Sequence, residues 1–434
     1  MISRPNILHI ITHDTGRYLG CCGAPVHTPE IDAFARQAVQ FDNCFCISPQ
    51  CCASRSGMFS GLSPWNNGMM GQISRDWTLR PGVPYVPRLL AESGYQTVLC
   101  GIQHETAGAP RELGYRTVLP SDTRRAADVA ASVTEYLQAA PDQPFFLSAG
   151  FKETHRPFPP PQVDPACVEV PHYLPDVPEV REDLARFRTS VRNADRGVER
   201  LVEALSNTGL EENTLVVFTT DHGPSFPGAK CTLFDRGTGI FLLMRGPGAF
   251  ESPRRVPALL SNMDLAPTLL EYAGLEAPEE MEGRSVLPLL RGETRTVRDF
   301  VPSQLTYHAA YDPMRAVRTR RLRYVRSFGI RPELFLPNMD DSPSKQALRG
   351  SGVFERRRPF EMLFDLQQDP GESNNIATRP DRRSVLDRMR RLLLDWMERT
   401  GDPLLRGPVP PANPSKVTPP WSDTPHRRWE DARI

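Results

Sequence analysis

Short apolar runs alternate with segments of helical periodicity along the first two thirds of the chain. Residues 6–12 are apolar and end in polar side chains, the pattern of a buried parallel strand whose C-terminal end feeds a site. Runs of the same kind occupy 95–101, 144–150, 213–220 and 239–244, and helical spacing of apolar residues occupies 29–39, 86–93, 123–139 and 181–205. This alternation predicts an α/β fold with a mostly parallel sheet sandwiched by helices. It stops near residue 295. Beyond it, 314–328 and 361–366 read as strands, and 379–399 as one amphipathic helix with Val385, Leu386, Met389, Leu392, Leu393 and Trp396 on its apolar stripe. The expected organisation is a large α/β domain at 1–295, a small α+β C-terminal domain at 296–400 and a proline-rich tail at 401–434. Eight of the 44 prolines follow residue 402, so the tail is expected to be an extended strap or disordered.

Composition narrows the partners. Lys+Arg and Asp+Glu are both 52 in 434 residues, which gives no global drive toward nucleic acid or an anionic membrane, so any anion site must be local. Only four of the cations are lysines (Lys152, Lys230, Lys345 and Lys416), so each lysine draws notice. No stretch approaches the roughly 18 apolar residues of a membrane span, and no export signal is visible, which leads to the expectation of a cytoplasmic protein. Nine cysteines, with adjacent pairs at Cys21-Cys22 and Cys51-Cys52, suit reduced thiols better than a disulfide framework. A zinc cluster of Cys44, Cys46, Cys51 and Cys52 competes, although the spacing is not that of paired CxxC knuckles.

Three segments carry candidate chemistry. His13-Asp14 ends the first predicted strand and Asp221-His222 ends another, and all four are competent metal ligands. One such pair is more often a turn or a cap; two in the same topological position favour a metal site. The third segment runs from Ser48 to Gly61, where a loop enters a helix start beside Cys51 and Arg55. Free amides and the positive helix end would face an anion there and depress the thiol's pKa. The bland reading, a small buried apolar cysteine, leaves the neighbouring Arg55 unexplained.

Cys51-x-Ala53-Ser54-Arg55 with Gly61 resembles the signature of the type I sulfatases, in which the cysteine is oxidised to formylglycine. That family has the alkaline phosphatase-like fold. Softer segments resemble its heparan N-sulfatase (sulfamidase) branch: Phe151-Lys-Glu-Thr-His155-Arg156, Asp264-Leu-Ala-Pro-Thr and Tyr311-Asp-Pro-Met-Arg315. The resemblance implies hydrolysis of a sulfamate or sulfate ester, on a small sulfated sugar such as N-sulfoglucosamine. It implies a divalent metal held by His13, Asp14, Asp221, His222 and the modified Cys51, and a formylglycine-generating maturation enzyme as partner. Arg55 would hold the formylglycine hydrate, His104 would contact its hydroxyl and move a proton, and His155 and Lys230 would bind sulfate oxygens or protonate the leaving group. Tyr307 and His308 would line the substrate pocket.

Three departures stand out. The family's usual Asp-Asp is here His13-Asp14, and imidazole suits manganese or zinc better than calcium, the family's usual ion. The family's Gly-Lys-x-His is here Gly101-Ile102-Gln103-His104, and Ala53 replaces a common proline. Two alternatives follow: a phosphodiesterase or phosphonate monoester hydrolase of the same superfamily, and a non-catalytic anion binder whose Cys51 stays a thiol. The arginines between Arg315 and Arg326 read as a solvated edge of the C-terminal domain, with one or two near the pocket.

Overall fold

The structure is a computed structural model that describes residues 4–426. Five strands form the parallel heart of the large sheet, in the order β4 (Thr117–Leu119), β3 (Gln96–Gly101), β5 (Phe145–Gly150), β1 (Asn6–Thr12) and β6 (Thr214–Thr220). Strand β1 lies at its centre, buried over all seven residues, which is why its aliphatic residues Ile7, Leu8, Ile10 and Ile11 point to both faces rather than alternating with exposed ones. Beyond β6 the sheet turns antiparallel through β8 (Leu242–Arg245), which pairs β2 (Val39–Phe45). Strand β2 also carries β7 (Gly239–Ile240) and, in parallel, β9 (Arg254–Ser261). The apolar run expected at 239–244 is therefore two strands, one on β2 and one on β6. The helix expected at 29–39 ends at Arg36, because Val39, Phe41 and Phe45 bury alternate positions as strand residues do.

Helices cover both faces. One apolar layer joins the helices Ala126–Gln138 and Pro178–Asn207 to α1 (Pro29–Arg36) and one side of β1; the other packs Met58 and Phe59 of α2 (Cys51–Ser60) with Leu265 to Leu270 against the opposite side.

A second sheet is an antiparallel meander of β10 (Val301–Tyr307), β11 (Tyr311–Arg318), β12 (Leu322–Ser327) and β13 (Glu361–Asp365). The single strand expected at 314–328 is a hairpin, broken where Thr319, Arg320 and Arg321 turn. The helix Arg383–Thr400 packs Leu386, Met389, Leu393 and Trp396 into a core shared with Ile47, Trp65 and Met263. The two sheets are thus welded by a common apolar cluster.

The arginine run is not a solvated edge. Arg315, Arg318 and Arg323 are buried and face acids: Arg315 pairs with Asp402, Arg318 with Asp235, and Arg323 with Asp235 and Glu372. Only Arg320, Arg321 and Arg326 are exposed. Burial of so many guanidinium groups is tolerable because each meets a carboxylate.

The tail is a packed strap as far as residue 426; residues 427–434 lie outside the described part. Tyr307 Oη donates to Val409 O at 2.8 Å and Thr418 N to Ala309 O at 2.8 Å. Arg75 clamps it by donating to Lys416 O, to Thr418 Oγ1 at 3.0 Å and to Pro425 O at 2.7 Å. Asp76 accepts from Lys416 Nζ at 2.7 Å and Asn413 Nδ2 at 2.8 Å.

Candidate active site

The C-terminal ends of the central parallel strands deliver the side chains that converge. His13 and Asp14 follow β1, and Asp221 and His222 follow β6, its immediate neighbour in register at Thr12 and Thr220. Cys51 opens α2, whose residues are all buried. One ligand atom from each of His13, Asp14, Cys51, Asp221 and His222 lies within 4.8 Å of every other, and this is the one metal-capable group among the described residues. The sequence-level zinc cluster does not form, since Cys44, Cys46 and Cys52 stand outside that group.

The shell is tightly braced. Asp14 sits at φ 57°, a left-handed conformation more open to Asp than to most residues, and its amide donates to Asp221 Oδ1 at 2.9 Å. His222 N donates to the same oxygen at 2.9 Å, and Arg55 Nε donates to Asp221 Oδ2 at 3.0 Å. His13 Nδ1 lies 2.7 Å from Asp14 Oδ1 and 3.2 Å from Asp221 Oδ2. His222 Nδ1 donates to Gly223 O at 2.9 Å, which leaves Nε2 as a lone-pair donor 3.4 Å from Cys51 Sγ and 3.2 Å from Asp14 Oδ1. Although burial opposes ionisation, Lys230 and the surrounding histidines hold Asp14 well below the carboxylate range, and His222, His13 and Arg55 do the same for Asp221. Burial pulls His13 down to about 4, so it is a neutral ligand. Two ionised carboxylates, two imidazoles and a sulfur position suit a divalent ion.

Burial pushes the Cys51 thiol well above its ordinary range; Lys230 opposes this, but Asp14 and Asp221 reinforce it. The depressed thiol expected from the helix start is therefore corrected: two nearby carboxylates and complete burial outweigh one lysine.

Cys51 forms the floor of a cavity of about 450 Å³ whose lining includes Cys52, His104, His155, Lys230, His308 and Asp340. Lys230 Nζ donates to Asp14 Oδ2 at 2.8 Å and Asp340 Oδ2 at 3.0 Å, linking the metal shell to the wall. His104 Nδ1 is 3.2 Å from His13 Nε2, and the His155 ring stands edge-on to His13 at 4.5 Å. Burial holds His104 well below the usual histidine range. His155 Nδ1 donates to Arg156 O at 2.6 Å, which fixes the orientation of the ring.

His104 and His155 arrive together because β3 and β5 end on paired glycines. A Cβ on Gly101, at φ +84°, would fall 2.1 Å from Gly150 O, so only glycine lets the two exit loops leave side by side. Ile102, at the position of the family lysine, lines a second cavity of about 370 Å³ with His13, His104 and His155, and Lys152 and Arg124 stand in its wall.

Arg55 lies beneath the cavity rather than in its wall, bound to Asp221 and to Thr12 O. His308 lines the cavity; Tyr307 does not, because its ring packs on Trp77 and Tyr311 and its hydroxyl holds the strap. Sequence reasoning missed Asp340 and the wall made by Arg75, Lys416 and His426. Lysine scarcity had singled out Lys416, whereas no local signal marks Asp340.

Comparison with known proteins agrees with this geometry. The Sulfatase family model matches residues 5–275, and a model described as "N-sulphoglucosamine sulphohydrolase, C-terminal" matches residues 229–336. The chain is 29% identical to N-sulphoglucosamine sulphohydrolase of Homo sapiens, over 94% of this chain and 92% of that protein. It is also 29% identical to an ulvan-active sulfatase of Formosa agariphila, over 92% of this chain and 81% of that one. A solved structure of a putative sulfatase from Bacteroides thetaiotaomicron has the same fold, with a TM-score of 0.73 at 24% identity over 93% of this chain and 94% of that chain.

Proposed function

Because the chain belongs to the Sulfatase family, we propose that this sulfate or sulfamate ester hydrolase acts on a small sulfated sugar, with the sulfamate of N-sulfoglucosamine as its first candidate substrate. The observation that carries this reading is the convergence of His13, Asp14, Cys51, Asp221 and His222 under a cavity lined by His104, His155 and Lys230. The name of the human relative, shared over nearly the whole chain, supports the sulfamate.

Manganese or zinc at the five-residue cluster would withdraw charge from the sulfuryl oxygens. Cys51, once converted to formylglycine by a maturation enzyme, would supply the oxygen nucleophile. The other roles belong to the chain's own groups. Arg55 holds Asp221 in place and ionised from below, so the shell is organised before substrate arrives. Lys230 offers a fixed positive charge at the floor, where sulfate oxygens gain charge as the bond to the leaving group breaks. The neutral His104 is placed to receive the proton released at position 51, and Lys230 or His155, which line the same cavity, to deliver one to the leaving nitrogen or oxygen.

Steady-state kinetics on N-sulfoglucosamine, a sugar O-sulfate, a phosphonate monoester and a phosphodiester test this reading. The sulfur substrates should lead. A phosphodiester preferred over both would move the protein to the phosphoryl-transfer branch of the superfamily. Mass spectrometry of the peptide spanning Cys51 should find formylglycine, and a thiol alone would make the protein an anion binder.

A further inference from the structure

Asp340 is the one acidic side chain lining the reaction cavity among the described residues. A carboxylate there is costly in a site built for an anion, because it repels the sulfuryl group it must admit. Its placement is nonetheless deliberate. Oδ2 accepts from Ser225 Oγ at 2.6 Å and Lys230 Nζ at 3.0 Å, which saturates that oxygen. Oδ1 accepts no hydrogen bond among the described residues, and the side chain keeps 21% of its surface exposed.

The loop that carries it is fastened on both sides. Asn338 Oδ1 accepts from Ala309 N at 3.0 Å and Ala310 N at 2.8 Å, beside His308 of the same cavity. Asp341 accepts from Lys345 Nζ at 2.8 Å and from Thr424 Oγ1 of the strap at 2.6 Å. One carboxylate oxygen is therefore pinned, and its twin is held open toward the cavity with little freedom to turn away. Such a preorganised acceptor is matched by a donor on the leaving group, not by the sulfuryl group.

Building on the proposed sugar-sulfatase reading, we propose that Asp340 is a specificity-determining residue whose Oδ1 accepts a hydrogen bond from an amine or hydroxyl of the sugar leaving group. An amine is the better match. Once sulfate leaves a sulfamate, the freed amine becomes an ammonium ion at neutral pH, and a charge-assisted bond to a carboxylate is the stronger kind.

The test separates this inference from the reading beneath it. Wild-type turnover of N-sulfoglucosamine and para-nitrophenyl sulfate probes the reading alone. For Asp340→Ala, turnover of both substrates falls, because Lys230 loses one of its two carboxylates. The informative quantity is the ratio of kcat/KM for the sugar to that for the aryl sulfate, whose leaving group has no N–H or O–H to donate. That ratio should fall about tenfold or more. Calorimetric titration with glucosamine needs no turnover: its Kd should weaken about tenfold or more in Asp340→Ala. The isosteric Asp340→Asn should bind glucosamine and glucose alike, whereas wild type favours glucosamine if the amine is the donor and treats both alike if a hydroxyl is. An unchanged ratio, or glucosamine bound equally by wild type and both variants or by none of them, overturns the proposal.

Discussion

Asp402→Asn probes the root of the strap. The side chains of Arg315 and Asp402 are both fully buried, with Arg315 Nε at 2.5 Å from Oδ2 and Nη2 at 3.0 Å from Oδ1. Asparagine keeps the shape but removes the negative charge and turns an acceptor into a donor facing a guanidinium N–H. Breaking a buried pair from one side costs about 3–5 kcal/mol. Arg315 retains Leu305 O at 3.0 Å, Met314 O at 2.9 Å and the Trp65 ring at 4.9 Å, which places the loss at the lower end, about 3 kcal/mol. At about 1 °C per kcal/mol for a chain of this length, Tm should fall by roughly 3 °C. Urea unfolding followed by tryptophan fluorescence suits the measurement, since Trp65 reports on this locus. Because the strap leaves the core at Asp402 and ends in the cavity wall, KM should rise more than kcat falls. The double variant Arg315→Met, Asp402→Asn should recover much of the loss by removing the stranded charge. An Asp402→Asn protein within about 0.5 kcal/mol of wild type, or a double variant weaker than the single, would refute the reasoning.

Cys51→Ala should abolish turnover with the far-ultraviolet circular dichroism unchanged, while Cys52→Ala, which opens a small gap beside Met69 and Trp77, should keep most activity; the reverse ranking assigns the nucleophile to the wrong residue. Asp14→Asn and Asp221→Asn should each lose stoichiometric metal by elemental analysis. In chelated wild type, manganese or zinc should restore activity at least as well as calcium, and restoration by calcium alone would contradict the imidazole argument. Asp195 is pushed up from 3.8 to about 6, chiefly by burial, so the folded state keeps a proton that the unfolded state has already released between those values. Its contribution to stability is full below pH 3.8 and is lost as pH rises through about 6. Asp195→Asn should therefore flatten the stability profile across that window and stabilise the protein at pH 8 by roughly 1–2 kcal/mol. Urea midpoints at pH 4, 6 and 8 check it.

The sheet and the metal shell were legible because both rest on local signals. A wholly buried strand such as β1 carries aliphatic residues on both faces, so the His13-Asp14 pair just after it announces a site. Strands β2 and β9 escaped because their burial alternates with half-exposed residues, whereas β7, only two residues long, was merged with β8 into one expected run. The arginines were misread for a different reason: a strand's sequence shows spacing, whereas the acids that neutralise Arg315 and Arg323 lie far along the chain at Asp402, Asp235 and Glu372. Asp340 was invisible on the same ground, since its meaning depends on Lys230 and Ser225 across the cavity.

The strap fixes an order of events in time. Cys51, in the floor of the cavity, leaves the ribosome long before Lys416 and His426, which close the wall, and at ~5–20 residues per second the interval is tens of seconds. In the finished protein Cys51 keeps only 3% of its surface in contact with solvent. On the proposed conversion of Cys51 to formylglycine, an enzyme that must grip the surrounding peptide has its opening in that interval, before folding seals the segment. Slower elongation over the second half of the message should then raise the fraction of molecules born competent, with no change in the sequence of the protein.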